Sequence, residues 1–314
     1  MALSEAKRQR ITRLYQVYAS NLSLFAPQLN DVFGCPLCFR IFGRDAIDAE
    51  FITEEHIISR KLGGRLTTLT CKDCNNDDGS RLDSHLINEF RTRDKIAGLS
   101  NKPLKGRIEI PNAKQDVDIY FSNPDSPGLL IVGDPKRSNP KSVEAIMHIM
   151  EEDAKKVSFI LKSDYSPLNS QVAKLRAAYL LMFYYFGYEY IAQESVKLVR
   201  QQILSPENDL IASKAVLAFG QLPEEQNSIS LIRTPSDLRC LFVTLKISTE
   251  IDRSFGVVLP GLEKGNETIY NRWYAQKDSL NGLQLNVTYF LPNPNAPIGY
   301  IYNGFVTWFW NNLE

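Results

Sequence analysis

Two pairs of cysteines are the residues of this chain whose spacing predicts chemistry most clearly. Cys35 pairs with Cys38, and Cys71 pairs with Cys74, each with the CxxC spacing. The two thiolates of a pair can approach one ion from the same side, and two such pairs complete a tetrahedral zinc site with four cysteine ligands. Catalytic zinc sites keep one coordination position open, whereas four thiolates fill the shell. The cysteines therefore predict a structural zinc ion that holds a short fold together.

The segment between and after these pairs contains further groups suited to metal and acid–base chemistry. They are two glutamates, a histidine, a pair of glycines and an asparagine: Glu54, Glu55, His56, Gly63, Gly64 and Asn75. The order is CxxC, an acid beside a histidine, a Gly-Gly turn and then CxxCN. This order resembles the HNH endonucleases that carry a zinc-stapled core, including phage endonucleases that resolve Holliday junctions and many bacterial HNH proteins. The resemblance covers about a third of the chain, and its specificity lies in the combination of motifs.

The resemblance implies a catalytic role for three of these residues. His56 falls on the general base, Glu55 on the acid that binds the catalytic metal, and Asn75 on the asparagine that gives the HNH motif its middle letter. Imidazole titrates near neutral pH, and carboxylate and amide oxygens suit Mg²⁺ or Mn²⁺. The expected reaction is metal-dependent hydrolysis of phosphodiester bonds in DNA, with the ion stabilising the leaving oxygen.

Several assignments stay open at this stage. Glu54 competes with Glu55 as the metal ligand. Asn76 competes with Asn75, because either asparagine could instead cap the following helix. His56 could also be a surface histidine whose pKa is raised by the neighbouring carboxylates. The final histidine of the HNH motif has three candidates in this chain, namely Asp77, Asp78 and His85.

Basic residues near the motif have two interpretations, contact with phosphates or a solvated charged face. They are Arg60, Lys61, Arg65, Lys72 and Arg81 around the motif, and Lys7, Arg8, Arg10 and Arg13 on a predicted helix over Ser4–Leu22. The chain has 36 Lys+Arg and 36 Asp+Glu, hence no formal net charge. Contact with nucleic acid must therefore use a local basic surface.

The sequence gives no indication of export or of a membrane segment. Residues 1–21 lack the apolar core of a signal peptide. The most apolar stretch, Ala177–Ile191, contains Glu189 and is short for a bilayer, so we expect a buried core helix there. We expect a cytoplasmic protein, where thiols are reduced and free to bind metal.

The pattern along the chain predicts an α+β protein in two parts. Residues 1–100 would form the zinc-stapled ββα-metal (HNH) module with its N-terminal helix, and residues 105–314 a larger mixed α+β domain. Strands are expected at 107–110, 117–122, 129–132, 157–161, 228–232, 238–247, 256–259 and 283–291, and helices at 142–152, 170–186 and 195–204.

The larger domain shows no second catalytic constellation. We expect it to sense a signal, position DNA or dock a partner, so an activating ligand or protein could act through residues 105–314. The layout resembles bacterial defence and restriction effectors. The competing hypothesis is a non-catalytic zinc module that binds nucleic acid or protein.

Overall fold

The computed structural model describes residues 4–122, 128–133, 139–152, 157–217, 227–276, 284–291 and 300–313. Contacts divide the chain into two compact units. The first unit comprises Met1–Leu86, Pro167–Ser248 and Asp252–Glu314, and the second comprises Ile87–Ser166 with Thr249–Ile251. The expected boundary between residues 100 and 105 lies inside the second unit, and the division of function between the two parts stays a prediction.

The first unit begins with the elements that carry the cysteines and the HNH motif. Helix α1 is followed by two short antiparallel hairpins and by two helices that a π-helical turn separates. Their bounds are α1 Glu5–Phe25, β1 Phe33–Gly34, β2 Ile41–Phe42, β3 Ile52–His56, β4 Thr67–Cys71, α2 Lys72–Asp78 and α3 Ser84–Ile96. The first unit ends at Leu86, within α3. The apolar positions of α1 that predicted a helix, Ile11, Leu14, Tyr15 and Tyr18, are all buried.

The remainder of the first unit is a buried helix, shorter helices and an antiparallel sheet. The helices are α5 Pro167–Phe186, α6 Tyr188–Ile191, α7 Lys197–Leu204, α8 Ala212–Ala215, α9 Ile269–Ala275 and α10 Phe305–Asn311. The strands are β9 Val216–Leu217, β10 Ser228–Thr234, β11 Cys240–Ser248, β12 Asp252–Leu259 and β13 Asn286–Phe290, in the sheet order β13-β10-β11-β12-β9. Helix α5 is buried around most of its circumference, as expected for a helix that is apolar on all sides and packs on the sheet.

The second unit contains the greater part of α3 and a four-stranded antiparallel sheet that packs against one further helix. Its elements are β5 Leu104–Ile110, β6 Ala113–Phe121, β7 Leu129–Gly133, α4 Pro140–Glu152 and β8 Ser158–Leu161, in the sheet order β7-β6-β5-β8. Ile108, Ile110, Val117 and Ile119 from the two central strands form its core with Ile146 of α4. The α+β fold class is confirmed in both units.

The apolar stretch Ala177–Ile191 is buried as expected, but it is not one helix. Gly187, with a φ of 56°, separates α5 from α6. A side chain at this position would collide with Asn21, because an added Cβ would lie 2.1 Å from its Oδ1 atom. That Oδ1 atom accepts a hydrogen bond from the Tyr188 backbone N–H at 2.8 Å. None of the described helices is long and apolar enough to cross a membrane.

Candidate metal centre and active site

The four cysteines of the two CxxC pairs lie at the ends of short elements. Cys35 follows β1 and Cys38 lies in the turn before β2, whereas Cys71 ends β4 and Cys74 lies in the first turn of α2. The first turn is tight, since the Phe39 backbone N–H donates to the carbonyl of Cys35 at 2.9 Å. Local backbone structure therefore brings each pair together, and the fold brings the two pairs to each other.

The geometry of the sulfurs fits one tetrahedral zinc ion. The four Sγ atoms all lie within 4.8 Å of one another. A Zn–S bond of about 2.3 Å places tetrahedral sulfurs about 3.8 Å apart, and Cys38 Sγ lies 3.7 Å from Cys71 Sγ. All five cysteines are free thiols, so no disulfide competes for these sulfurs. Among the described residues, this is the group of three or more His, Cys, Asp or Glu side chains placed to hold a metal.

Arg40 is a residue of this centre that the sequence analysis missed. Its Nε donates to Cys38 Sγ at 3.3 Å, and a terminal guanidinium nitrogen lies 3.1 Å from Cys71 Sγ. Four thiolates around Zn²⁺ carry a net negative charge, which this guanidinium offsets. The position of Arg40, two residues after Cys38, is the sequence feature that could have indicated this contact.

The hairpin of β3 and β4 positions His56 at the end of β3, where the connecting loop begins. The register pairs His56 with Thr67 and Glu55 with Thr68. The Nε of Arg60 donates to His56 Nε2 at 2.7 Å. Burial, and then the positive charge of Arg60, lower the pKa of His56. The carboxylates do not dominate this pKa, so the expected rise in the pKa of His56 is wrong and the ring favours its neutral form. The choice between a general base and a structural histidine stays a prediction.

The two neighbouring glutamates of β3 have different surroundings. Successive strand residues project to opposite faces. Glu54 shares the face of His56, and its carboxylate accepts two hydrogen bonds from Arg10 of α1, at 2.9 and 3.2 Å. Glu55 is buried at 5% exposure and pairs with Arg176 of α5. The choice between Glu54 and Glu55 as metal ligand therefore stays a proposal.

Asp83 and Arg176 are two further charged residues that the sequence analysis did not connect with the motif. The guanidinium of Arg176 reaches Glu55 through one terminal nitrogen and lies 3.6 Å from Asp83 Oδ1 through the other. Asp83 ends the π-helical turn between α2 and α3. Because Arg176 lies 121 positions after Glu55 in the chain, no local pattern could have indicated this pair.

Asn75 lies in the middle of α2, where it ties the helix to the hairpin. Its Nδ2 donates to the backbone carbonyl of Glu54 at 3.0 Å. The N-cap of α2 is Cys71, so Asn75 does not cap this helix. Asn76 and Asp77 are exposed on α2, and His85 is half-buried on α3. The side chain of Asp78 lies outside the described residues.

Two cavities adjoin the motif and contain basic side chains. A cavity of about 580 Å³ is lined by Arg65, Lys246 and the backbone of Gly64, beside the residues that follow His56. A smaller cavity of about 200 Å³ is lined by Lys7 and Lys72 together with Asn75 and Asn76. Of the other basic residues, Arg8 pairs with Asp48 and Arg81 with Glu207.

A four-cysteine cluster joins a short hairpin to the following helix, and a histidine ends the first strand of that hairpin. This arrangement is the one expected from the resemblance to zinc-stapled ββα-metal modules. Residues 35–91 match the model of the HNH endonuclease family. This segment of the chain is therefore a module of the HNH type, and a larger α+β region follows it. Searches of curated proteins and of solved structures gave no match.

Proposed function

We propose that the protein is a metal-dependent endonuclease that cleaves DNA, with His56 as the general base. The observation that carries the proposal is the placement of His56 at the end of β3, inside a module whose sequence matches the HNH family. Its lowered pKa keeps the ring neutral and able to accept a proton from the attacking water.

Arg60 is the residue expected to respond to the substrate. It occupies the Nε2 lone pair of His56 and is itself exposed to solvent. A phosphate binds a guanidinium more strongly than a neutral imidazole does. Binding of the substrate would therefore draw Arg60 to the phosphate and release Nε2 for the attacking water.

Basic side chains in both cavities support contact with the nucleic-acid backbone on either side of the scissile phosphate, and one carboxylate also lines each cavity, Asp252 in the larger and Glu50 in the smaller. Lys7 and Lys72 face the cavity that Asn75 lines, and Arg65 faces the cavity beyond His56. Such contacts position a nucleic acid and carry no sequence preference.

A divalent cation, Mg²⁺ or Mn²⁺, would neutralise charge on the phosphate when bound, and Glu55 and Asn75 are its ligands by resemblance. In the present conformation these residues fit the ion poorly, because Arg176 holds one oxygen of Glu55 and Asn75 donates to β3. This observation also favours the second candidate function, a module that binds nucleic acid without cleaving it.

Cleavage of supercoiled plasmid by the zinc-loaded chain tests the proposal. We expect nicking with millimolar Mn²⁺ or Mg²⁺, none with EDTA, and a parallel assay on RNA to define the substrate class. Glu54→Gln and Glu55→Gln form a matched pair on adjacent residues. Loss of nicking in Glu55→Gln alone supports Glu55 as the ligand, and loss in Glu54→Gln alone transfers that role. DNA binding without cleavage under every metal condition would support the non-catalytic module.

A further inference from the structure

The pair formed by Arg176 and Glu55 is a fully enclosed contact between α5 and the HNH hairpin. The side chain of Arg176 is 1% exposed and that of Glu55 is 6% exposed. The second arm of the guanidinium lies 3.6 Å from Asp83, so one cation is shared between two carboxylates. Burial of an unpaired charge is strongly unfavourable, and each of these groups therefore depends on the others.

A hydrated divalent cation and this guanidinium would need the same carboxylate. Mg²⁺ and Mn²⁺ bind through oxygen atoms and usually keep several water ligands. Glu55 Oε1 already accepts from Arg176, and the enclosed side chains leave little access to water at this carboxylate. A second positive charge within a few ångströms of the ion would also repel it.

We propose that Arg176 competes with the catalytic cation for Glu55, so that the carboxylate pairs either with the guanidinium or with the ion. This inference rests on the proposed function, in particular on Glu55 as a metal ligand. Arg176, which lies outside residues 35–91, thereby keeps the ion from this carboxylate while the pair is formed.

The neighbouring pair of Arg10 and Glu54 is a natural control. It joins the same strand to another helix through a guanidinium–carboxylate contact, at 2.9 Å. Arg10 is largely exposed, at 57% of its side chain, so solvent and salt screen its charge, whereas Glu54 is 11% exposed. Removal of Arg10 should therefore leave the metal affinity unchanged, whereas removal of Arg176 should raise it.

The test measures Mn²⁺ binding to the zinc-loaded full chain, in a His56→Ala background that is expected not to cleave DNA. Bound Mn²⁺ is measured by the loss of the free Mn²⁺ signal in electron paramagnetic resonance. Arg176→Gln should bind Mn²⁺ roughly tenfold or more tightly than the parent, because a nearby positive charge is removed. Arg10→Gln should bind like the parent. Glu55→Gln should lose binding, which checks the ligand assignment separately.

The outcomes separate the two proposals. Unchanged or weaker Mn²⁺ binding in Arg176→Gln overturns the competition, and the proposed function stands if Glu55→Gln loses binding. A gain in Arg10→Gln, without one in Arg176→Gln, assigns the metal to Glu54 and also overturns it. If Arg176→Gln loses zinc or melts early, Arg176→Lys replaces it. The lysine ammonium cannot span both carboxylates as the guanidinium does. Arg176→Lys should therefore bind Mn²⁺ about threefold more tightly than the parent, and parent-like binding contradicts the inference.

Discussion

His56 and Arg60 form the contact on which substrate recognition depends at the scale of single residues. Arg60 begins the short 3-10 turn after the strand, four positions beyond His56. It donates to the imidazole in the structure, whereas the proposed reaction needs that nitrogen free. Because Arg60 is proposed to act by binding the substrate phosphate, its replacement should weaken substrate binding.

Replacing Arg60 by alanine should therefore raise KM for DNA about threefold to tenfold and change kcat less, since one phosphate contact is lost. Lys61→Ala is the matched control, because Lys61 is exposed on the same turn and its side chain makes no hydrogen bond or ion pair within the described part of the chain. The comparison uses steady-state cleavage at two salt concentrations. A fall in kcat at unchanged KM would contradict this role.

The sequence predicts some residues of the metal centre because their spacing along the chain is characteristic of metal ligands. The CxxC pairs identify four cysteines that could hold zinc, and the structure brings their sulfurs within 4.8 Å of one another. Arg176 and Asp83 have no such signal, because their contact with Glu55 depends on tertiary packing of α5. Glu55 and His56 are adjacent in the sequence, but successive residues of a strand project to opposite faces of the sheet. The motif alone does not show this separation.

At the scale of elements, the turn between β3 and β4 fixes the position of His56. The Ile57 backbone N–H donates to the Leu66 carbonyl at 3.1 Å, which continues the hairpin beyond the strand. Gly64 lies so close to Ile58 that an added Cβ would be 1.7 Å from the Ile58 carbonyl oxygen. Because that contact is with backbone, a rotamer change cannot relieve it.

Gly64→Ala should lower the stability of the folded chain by roughly 1–3 kcal/mol, the range for overpacking a well-packed site. Gly79→Ala is the control, because an added Cβ at Gly79 meets no atom within 4 Å. Gly79 also has a φ of −59°, which alanine adopts readily. Denaturant titration of both variants measures the difference. Equal stability of the two variants would show that the turn is not rigid.

Most elements of the larger region were predictable from their periodicity. The strands expected at 107–110 and 228–232 lie within β5 and β10, and the helix expected at 142–152 lies within α4. The break at Gly187 was not expected, because the apolar pattern continues through it while Asn21, far earlier in the chain, fills the space beside it. A contact between residues as distant in sequence as Asn21 and Gly187 does not change the local hydropathy pattern, so that pattern does not predict it.

At the scale of the whole molecule, the HNH module shares its core with the region that follows. Tyr18 of α1 stacks on Phe183 of α5, with ring centroids 4.4 Å apart. The hydroxyl of Tyr188 donates to the Gly34 carbonyl at 2.6 Å and accepts from the Gly34 N–H at 2.9 Å. Tyr179 donates to the carbonyl of Pro36, inside the first CxxC loop, at 2.6 Å.

A fragment of residues 1–100 should therefore be much less stable than the full chain, even when it is loaded with zinc. It would expose the aromatic surface of α1 and leave the backbone of the first cysteine loop without its tyrosine partners. Thermal melts with dye binding to exposed apolar surface compare the two proteins at equal zinc content. A fragment that melts cooperatively at the temperature of the full chain would instead support an independent module ending near residue 100.

The central claim, that His56 is the base of a DNA-cleaving centre, is tested most directly by single-turnover cleavage of a labelled duplex in saturating Mn²⁺. His56→Ala is compared with His148→Ala, in which an exposed histidine of α4 changes in the same way. We expect a loss of about 10²–10⁴-fold for His56→Ala, as for removal of a general base. We expect parent-like cleavage for His148→Ala, with unchanged zinc content in both. Equal cleavage rates for His56→Ala and the parent would contradict the account.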